Sequence, residues 1–152
     1  MVIYSLVITV FFVVLDRFFK FLAINKYLDE PISIFGNWFQ LEFIPNYFIA
    51  FSLPLSGIWL NILIFLLILV IFYYIIHIVY IRKKYDFEGL SLTIILLGAI
   101  SNMLDRFRYG FVIDYLDLEY FTVFNIADIM IVVGFLILVL VFYKNQENNN
   151  TE

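Results

Sequence analysis

Long apolar runs separated by short polar joints dominate the chain. Four are legible, at about residues 2–23, 58–81, 90–107 and 123–143. The first contains VIYSLVITVFFVVL; the second is the cleanest; the third carries charge at its far end; the fourth runs into the polar tail NQENNNTE. A membrane-spanning helix needs about 20 mostly apolar residues, whereas a barrel strand needs about 10 in strict alternation. Continuous runs of this length predict helices. The first run has no basic leader and no small-x-small cleavage site, and it is too long for a signal peptide, so it reads as a retained helix.

The segment between the first two runs is too long for a simple connection. Its stretch PISIFGNWFQLEFIPN alternates apolar and polar positions around Gly36 and Asn37, a hairpin signal. It predicts a small β-element over about residues 29–55, lying on the outer membrane surface with Trp38 and Phe39 at headgroup level. The expected fold is α-helical and polytopic. Four transmembrane helices and one extracytoplasmic β-element would make a single membrane domain over residues 1–152.

Composition agrees. Of 152 residues, 64% are hydrophobic and 14% charged, with a mean hydropathy of +1.01. Soluble domains carry about 45–50% apolar and about 25% charged residues. That balance excludes a cytosolic globular enzyme and a disordered segment, and nucleic acid is not an expected partner because no basic face is present. The net charge of −4 adds little beside charge placement. Arg82, Lys83 and Lys84 follow the second run and Lys144 the fourth, which puts that loop and both termini in the cytoplasm. Residues 25–57 and 106–122 then face outward. Arg106 and Arg108 lie on that side, but they adjoin Asp105 and Asp114 and read as paired functional charges. No Cys is present and His77 is the one histidine, so neither a disulfide framework, a thiolate nucleophile nor a metal site is expected. His77 reads as a packed or interfacial neutral side chain.

Charges inside apolar runs are costly and mark candidate sites. Asp16 and Lys20 lie four apart on one helix face, the acid first, which is the favourable order. They read either as a structural ion pair with Lys20 snorkelling outward or as part of a substrate site. Asn102 and Asp105 are three apart, with Arg106 next, and Asp114 is an acid embedded in FVIDY, where its charged form is poorly solvated. Asn125 and Asp128 repeat the three-residue spacing in FNIADIM. An ordinary helix cap would explain that pair, but the reading adopted puts Asp128 past the first turn, where capping explains little. All four buried-run acids fall near one membrane face. Two carboxylates in a low-dielectric site do not both ionise; together they can activate a water and protonate a carbonyl oxygen. That is aspartic peptidase chemistry. A proton-coupled transporter would place its carboxylates near the midplane and usually shows repeats, and a non-enzymatic assembly protein would need no such pairs.

SNMLDR, FVIDY and FNIADIMIVVG, with DRFFK in the first run and NYFIAF before the second, resemble bacterial lipoprotein signal peptidase (signal peptidase II) over almost the whole chain. The resemblance implies a polytopic aspartic endopeptidase of the bacterial inner membrane, active near the extracytoplasmic face. Its substrate would be a diacylglyceryl-modified prolipoprotein, cut just before the lipid-bearing cysteine. Membrane lipid would be its environment, with no cofactor, no metal and no obligate protein partner. By motif, Asp114 and Asp128 are the implied catalytic pair. Asn102, Arg106 and Asn125 are implied supporting residues, Asp105 a structural or positioning acid, and Asp16, Lys20 and Asn46 match further motif positions. Ser101 and Phe48 stand where the family has Gly, the first a small-for-small change; with the dyad intact, an active enzyme is expected.

Overall fold

The computed structural model describes residues 2–47, 57–83 and 85–150. Phe48, Ala50, Phe51 and Lys84 lie outside the described residues. The elements run α1 (Val2–Ile24), β1 (Ile32–Phe35), β2 (Phe39–Asn46), α2 (Ile58–His77, continued by a π-helical turn Ile78–Arg82), α3 (Phe87–Tyr109), β3 (Val112–Leu118), β4 (Val123–Phe124) and α4 (Ile126–Asn150).

Among the described residues three helices are long and apolar enough to cross a membrane: Ile58–Arg82, Phe87–Tyr109 and Ile126–Glu147. The first, at 25 residues, is about 37 Å long, against a hydrocarbon core of about 30 Å. Its outward side chains, such as Leu63, Val70 and Tyr73, are exposed, as suits a lipid-facing surface. α1 carries three charged residues, Asp16, Arg17 and Lys20, close together in its second half.

α3 is the central helix. It packs most extensively on α4 and also against α2 and α1. It begins at Phe87 rather than near 90 because Asp86 caps it, its carboxylate accepting from the Glu88 N–H at 3.0 Å. It ends at Tyr109, where Gly110 takes the left-handed conformation (φ 83°) and its N–H returns to the Arg106 carbonyl. α4 starts at Ile126, not at 123, because Val123 and Phe124 form β4 and pair with Asp117 and Leu116. At its other end α4 continues to Asn150, beyond the expected stop near 143; no Gly or Pro interrupts the tail.

The β-element is larger than the alternating segment alone. β1 and β2 form the expected hairpin around Gly36 (φ 55°). β2 then pairs antiparallel with β3, from the segment after α3, giving a four-stranded sheet in the order β1-β2-β3-β4. Register places Ile44 opposite Asp114 and Asn46 opposite Val112. Trp38 is exposed at the hairpin, while Phe39 is half-buried opposite Leu118, so only Trp38 has the free position expected for both. The buried core lies where the end of α1 meets the sheet: Ala23, Leu28, Ile113 and Tyr115, with Phe19, Leu41 and Phe43 packed against them.

Candidate active site

Asp114 is buried in β3, and Asp128 lies half-buried in the first turn of α4. Asn125 joins them. Its Nδ2 donates to Asp114 Oδ1 at 2.6 Å, and its Oδ1 accepts from the Asp128 N–H at 2.9 Å. Asp128 Oδ2 in turn accepts from the Asn125 N–H at 3.2 Å. This reciprocal pair is a capping box, so Asp128 is not past the first turn as its apolar neighbours suggest. It serves as a cap and stands beside Asp114 at once.

Each carboxylate has a second amide. Asn46, at the end of β2, donates from Nδ2 to Asp114 Oδ2 at 2.8 Å. Asn102, on α3, donates from Nδ2 to Asp128 Oδ1 at 2.7 Å. A cavity of about 140 Å³ opens beside Asp128, lined by Asn46, Thr122, Val123, Phe124, Ile131 and Val132. Burial, then the nearby Asp128 charge, pushes the Asp114 carboxyl up to about 7, against the opposing hydrogen bonds of Asn46 and Asn125 and the Lys20 charge. Arg106 interacts electrostatically with Asp128, Asp114 and Asp105.

Behind the pair sits a buried ionic group. Lys20 Nζ reaches Asn102 Oδ1 and Asp105 Oδ2, each at 2.7 Å, and Asp16 Oδ2 at 3.2 Å, which matches the three donors of an ammonium. It is fully buried and does not snorkel. The Asp16–Lys20 ion pair is therefore real, and Asn102 connects it to Asp128. Asp105 binds Arg17 Nη1 and Lys20 Nζ of α1, each at 2.7 Å, and accepts from the Ile113 N–H of β3 at 3.4 Å.

Three contributors carry no site role in the sequence reading. Arg17 holds Asp105 and the Ser101 carbonyl. The Ser101 hydroxyl donates to Asp16 Oδ2 at 2.6 Å, so the residue does more than fill a small position. Tyr115 OH donates to Asp16 Oδ1 at 3.0 Å. Arg17 had a signal, a third charge in an apolar run. Tyr115 had a weaker one, since a buried Tyr hydroxyl requires a partner. Among the described residues, no three His, Asp or Glu side chains are grouped as a metal site.

These features define a helical membrane protein with a carboxylate pair held between a small sheet and a helix start. The sequence profile of the family Signal peptidase (SPase) II matches residues 8–144. The lipoprotein signal peptidase of Clostridioides difficile (strain 630) is 36% identical over 148 residues, covering 93% of this chain and 97% of that protein. The lipoprotein signal peptidase of Syntrophomonas wolfei subsp. wolfei is 37% identical over 145 residues, covering 90% and 93%. A solved structure described as "Bacterial membrane enzyme structure by the in meso method at 2.3 A resolution" superposes with a TM-score of 0.79 over 95% of this chain and 90% of that one, at 23% identity, and so shares the fold. The chain belongs to the signal peptidase II family.

Proposed function

We propose that the chain is an aspartic endopeptidase that removes signal peptides from prolipoproteins, with Asp114 and Asp128 as its catalytic pair. The observation that carries this reading is the Asn125 bridge, which joins two carboxylates from different elements, one of which, Asp128, lines a cavity. One carboxylate takes a proton from water as the water oxygen attacks the scissile carbonyl. The other, protonated, donates to the carbonyl oxygen. As the tetrahedral intermediate collapses, the C–N bond breaks and the departing amine takes up a proton from the pair. With its carboxyl near 7, Asp114 is suited to holding the shared proton around neutral pH.

In this reading α1 is a fourth span and the chain is one domain of the bacterial inner membrane. Basic Arg82 and Lys83 keep the α2–α3 joint cytoplasmic, with both termini, and the sheet and the pair lie toward the outer face. The substrate carries a diacylglyceryl group on the cysteine just after the cut. Its acyl chains stay in the bilayer and hold the scissile bond at a fixed depth, so remote apolar binding contributes to turnover. A transporter would need its carboxylates near mid-membrane; here Asp128 sits at a helix start and Asp114 in a sheet.

The test is cleavage of a diacylglyceryl-modified prolipoprotein by purified enzyme and by the isosteric variants Asp114→Asn and Asp128→Asn. Each variant should fold and lose nearly all activity. Substantial turnover by either removes that residue from the pair.

A further inference from the structure

The first four N–H groups of any helix lack acceptors within the helix. In α4 all four find one. The N–H of Asn125, the capping residue, goes to Asp128 Oδ2 at 3.2 Å, and Asp128 N–H goes to Asn125 Oδ1 at 2.9 Å. The other two leave the local cap. Ile126 N–H donates to Tyr115 OH at 3.2 Å, and Ala127 N–H donates to Asp16 Oδ1 at 3.2 Å. Tyr115 OH itself donates to the same Asp16 oxygen. One hydroxyl therefore ties together β3, α1 and the start of α4. The ring is fully buried and stacked on Phe19, with centroids 5.3 Å apart, so it has little freedom to swing away.

We propose that the Tyr115 hydroxyl is a positioning group for the peptidase reaction, fixing the strand that carries Asp114 against the helix start that carries Asp128. This rests on the catalytic pair assigned above. Successive strand residues face opposite sides, so Tyr115 works on the reverse of the sheet from Asp114. On Asp114's side, Asn125 Nδ2 reaches both Asp114 Oδ1 and the Ile113 carbonyl, at 2.6 and 3.4 Å, and β4 pairs with β3 just ahead of α4. The Tyr115–Ile126 bond is a tie on the opposite face of the same joint. Ties on both faces resist a rotation that ties on one face leave open.

Tyr115→Phe retains the ring, its stacking and its volume and removes the oxygen. The expected result is a fall of about tenfold or more in kcat with KM within about twofold, because geometry at the reacting centre is lost while apolar substrate binding is kept. Phe19→Leu supplies the comparison. It removes the stacked ring but keeps the hydroxyl, and should lower the thermal midpoint in detergent while kcat of the folded enzyme stays within about twofold. Wild-type kcat in Tyr115→Phe overturns the proposal, as does an equal kcat loss in Phe19→Leu. If Tyr115→Phe does not accumulate folded, Ile126→Pro removes the N–H that the hydroxyl accepts, at the first helical position, where proline is tolerated, and leaves Tyr115 and Asp16 in place. It should show the same loss of kcat, and a wild-type kcat overturns the proposal. Asp114→Asn assayed in parallel keeps the two readings apart: activity surviving that change sinks the pair itself, whatever Tyr115 does.

Discussion

The α3–α4 contact offers a perturbation whose size can be worked from distances. Gly98 lies one helical turn before Asn102, and a Cβ added there would fall 2.6 Å from the Ala127 carbonyl oxygen. Ordinary contact begins near 3.4 Å, so Gly98→Ala must move the start of α4 outward by about 0.8 Å unless other atoms yield. The nearby obstacles, Ile131 Cγ1 at 3.0 Å and Met130 Cβ at 3.3 Å, belong to the same helix and push the same way. Ala127 precedes Asp128, so the shift acts directly on the Asn102–Asp128 bond, now 2.7 Å. Opened by that amount it reaches about 3.5 Å, the limit for a hydrogen bond. Overpacking costs about 1–3 kcal/mol of stability. Misplacement of a reacting group by about 1 Å costs up to about a hundredfold in rate.

Gly134→Ala is the matched control. Its Cβ would meet Ile95 Cγ1 at 2.8 Å and the Ser91 carbonyl at 2.9 Å, in the same interface but about 9 Å along α4 from Asp128. The assay is cleavage of lipid-modified prolipoprotein by detergent-purified enzyme, normalised to the folded fraction, with thermal unfolding in parallel. Both variants should lose stability. Gly98→Ala should also lose about tenfold or more in kcat, and Gly134→Ala should not. Wild-type kcat in Gly98→Ala, or the same kcat loss in both, would refute the claim that this contact sets the position of Asp128.

Because ionisation of Asp114 near 7 removes the proton that it would contribute to the pair, activity should fall as pH rises through that region; Asn46→Leu removes a donor that favours the charged form and should move the falling limb to higher pH. An unmoved limb would detach Asn46 from the titration. A reporter inserted at Lys83 should read cytoplasmic and one at Asn37 external, and the reverse pattern would invert the proposed topology. Prolipoprotein lacking the diacylglyceryl group should be cut far more slowly than the modified form at saturating concentration; equal rates would mean that the lipid plays no part in placing the peptide bond.

Apolar run length made the helices legible, because lipid imposes a minimum length and forbids interruption. Their ends were less legible. The early start of α3 depends on Asp86, and the late start of α4 depends on β4, whose two residues carry no strand signal of their own. The hairpin of β1 and β2 was announced by alternation around Gly36, but the partner of β2 was not. β3 reads VIDYLDL, apolar on both faces in its first half, and pairing across the intervening α2 and α3 leaves no local trace. The acids were legible by the cost of placing charge in an apolar run; their partners were not. Asp105 bonds to α1 across more than eighty positions, and no spacing rule reaches that far.

Under the proposed assignment, the two halves of the polar cluster differ in a way that suits one of them to chemistry. Asp16 and Asp105 meet Lys20 and Arg17 directly, at distances from 2.7 to 3.2 Å, so both acids are matched by cations. A buried pair in such a state is expensive to break, because removing one member leaves an uncompensated charge. That half is a fixed base joining α1 to α3 and, through the Asp16 bond to Ala127 N–H, to α4. Asp114 and Asp128 take amides from Asn46, Asn125 and Asn102 instead. An amide fixes the direction of a carboxylate but stabilises its charge less than a cation at the same distance. In the proposed mechanism the pair, oriented in this way and with the Asp128 charge opposing that of Asp114, retains a proton that it can give up and recover. Lys20 marks the boundary between the halves. It neutralises Asp105 and Asp16 directly and reaches Asp128 through the oriented amide of Asn102, which lends position to the pair without a direct Lys20 contact to Asp128.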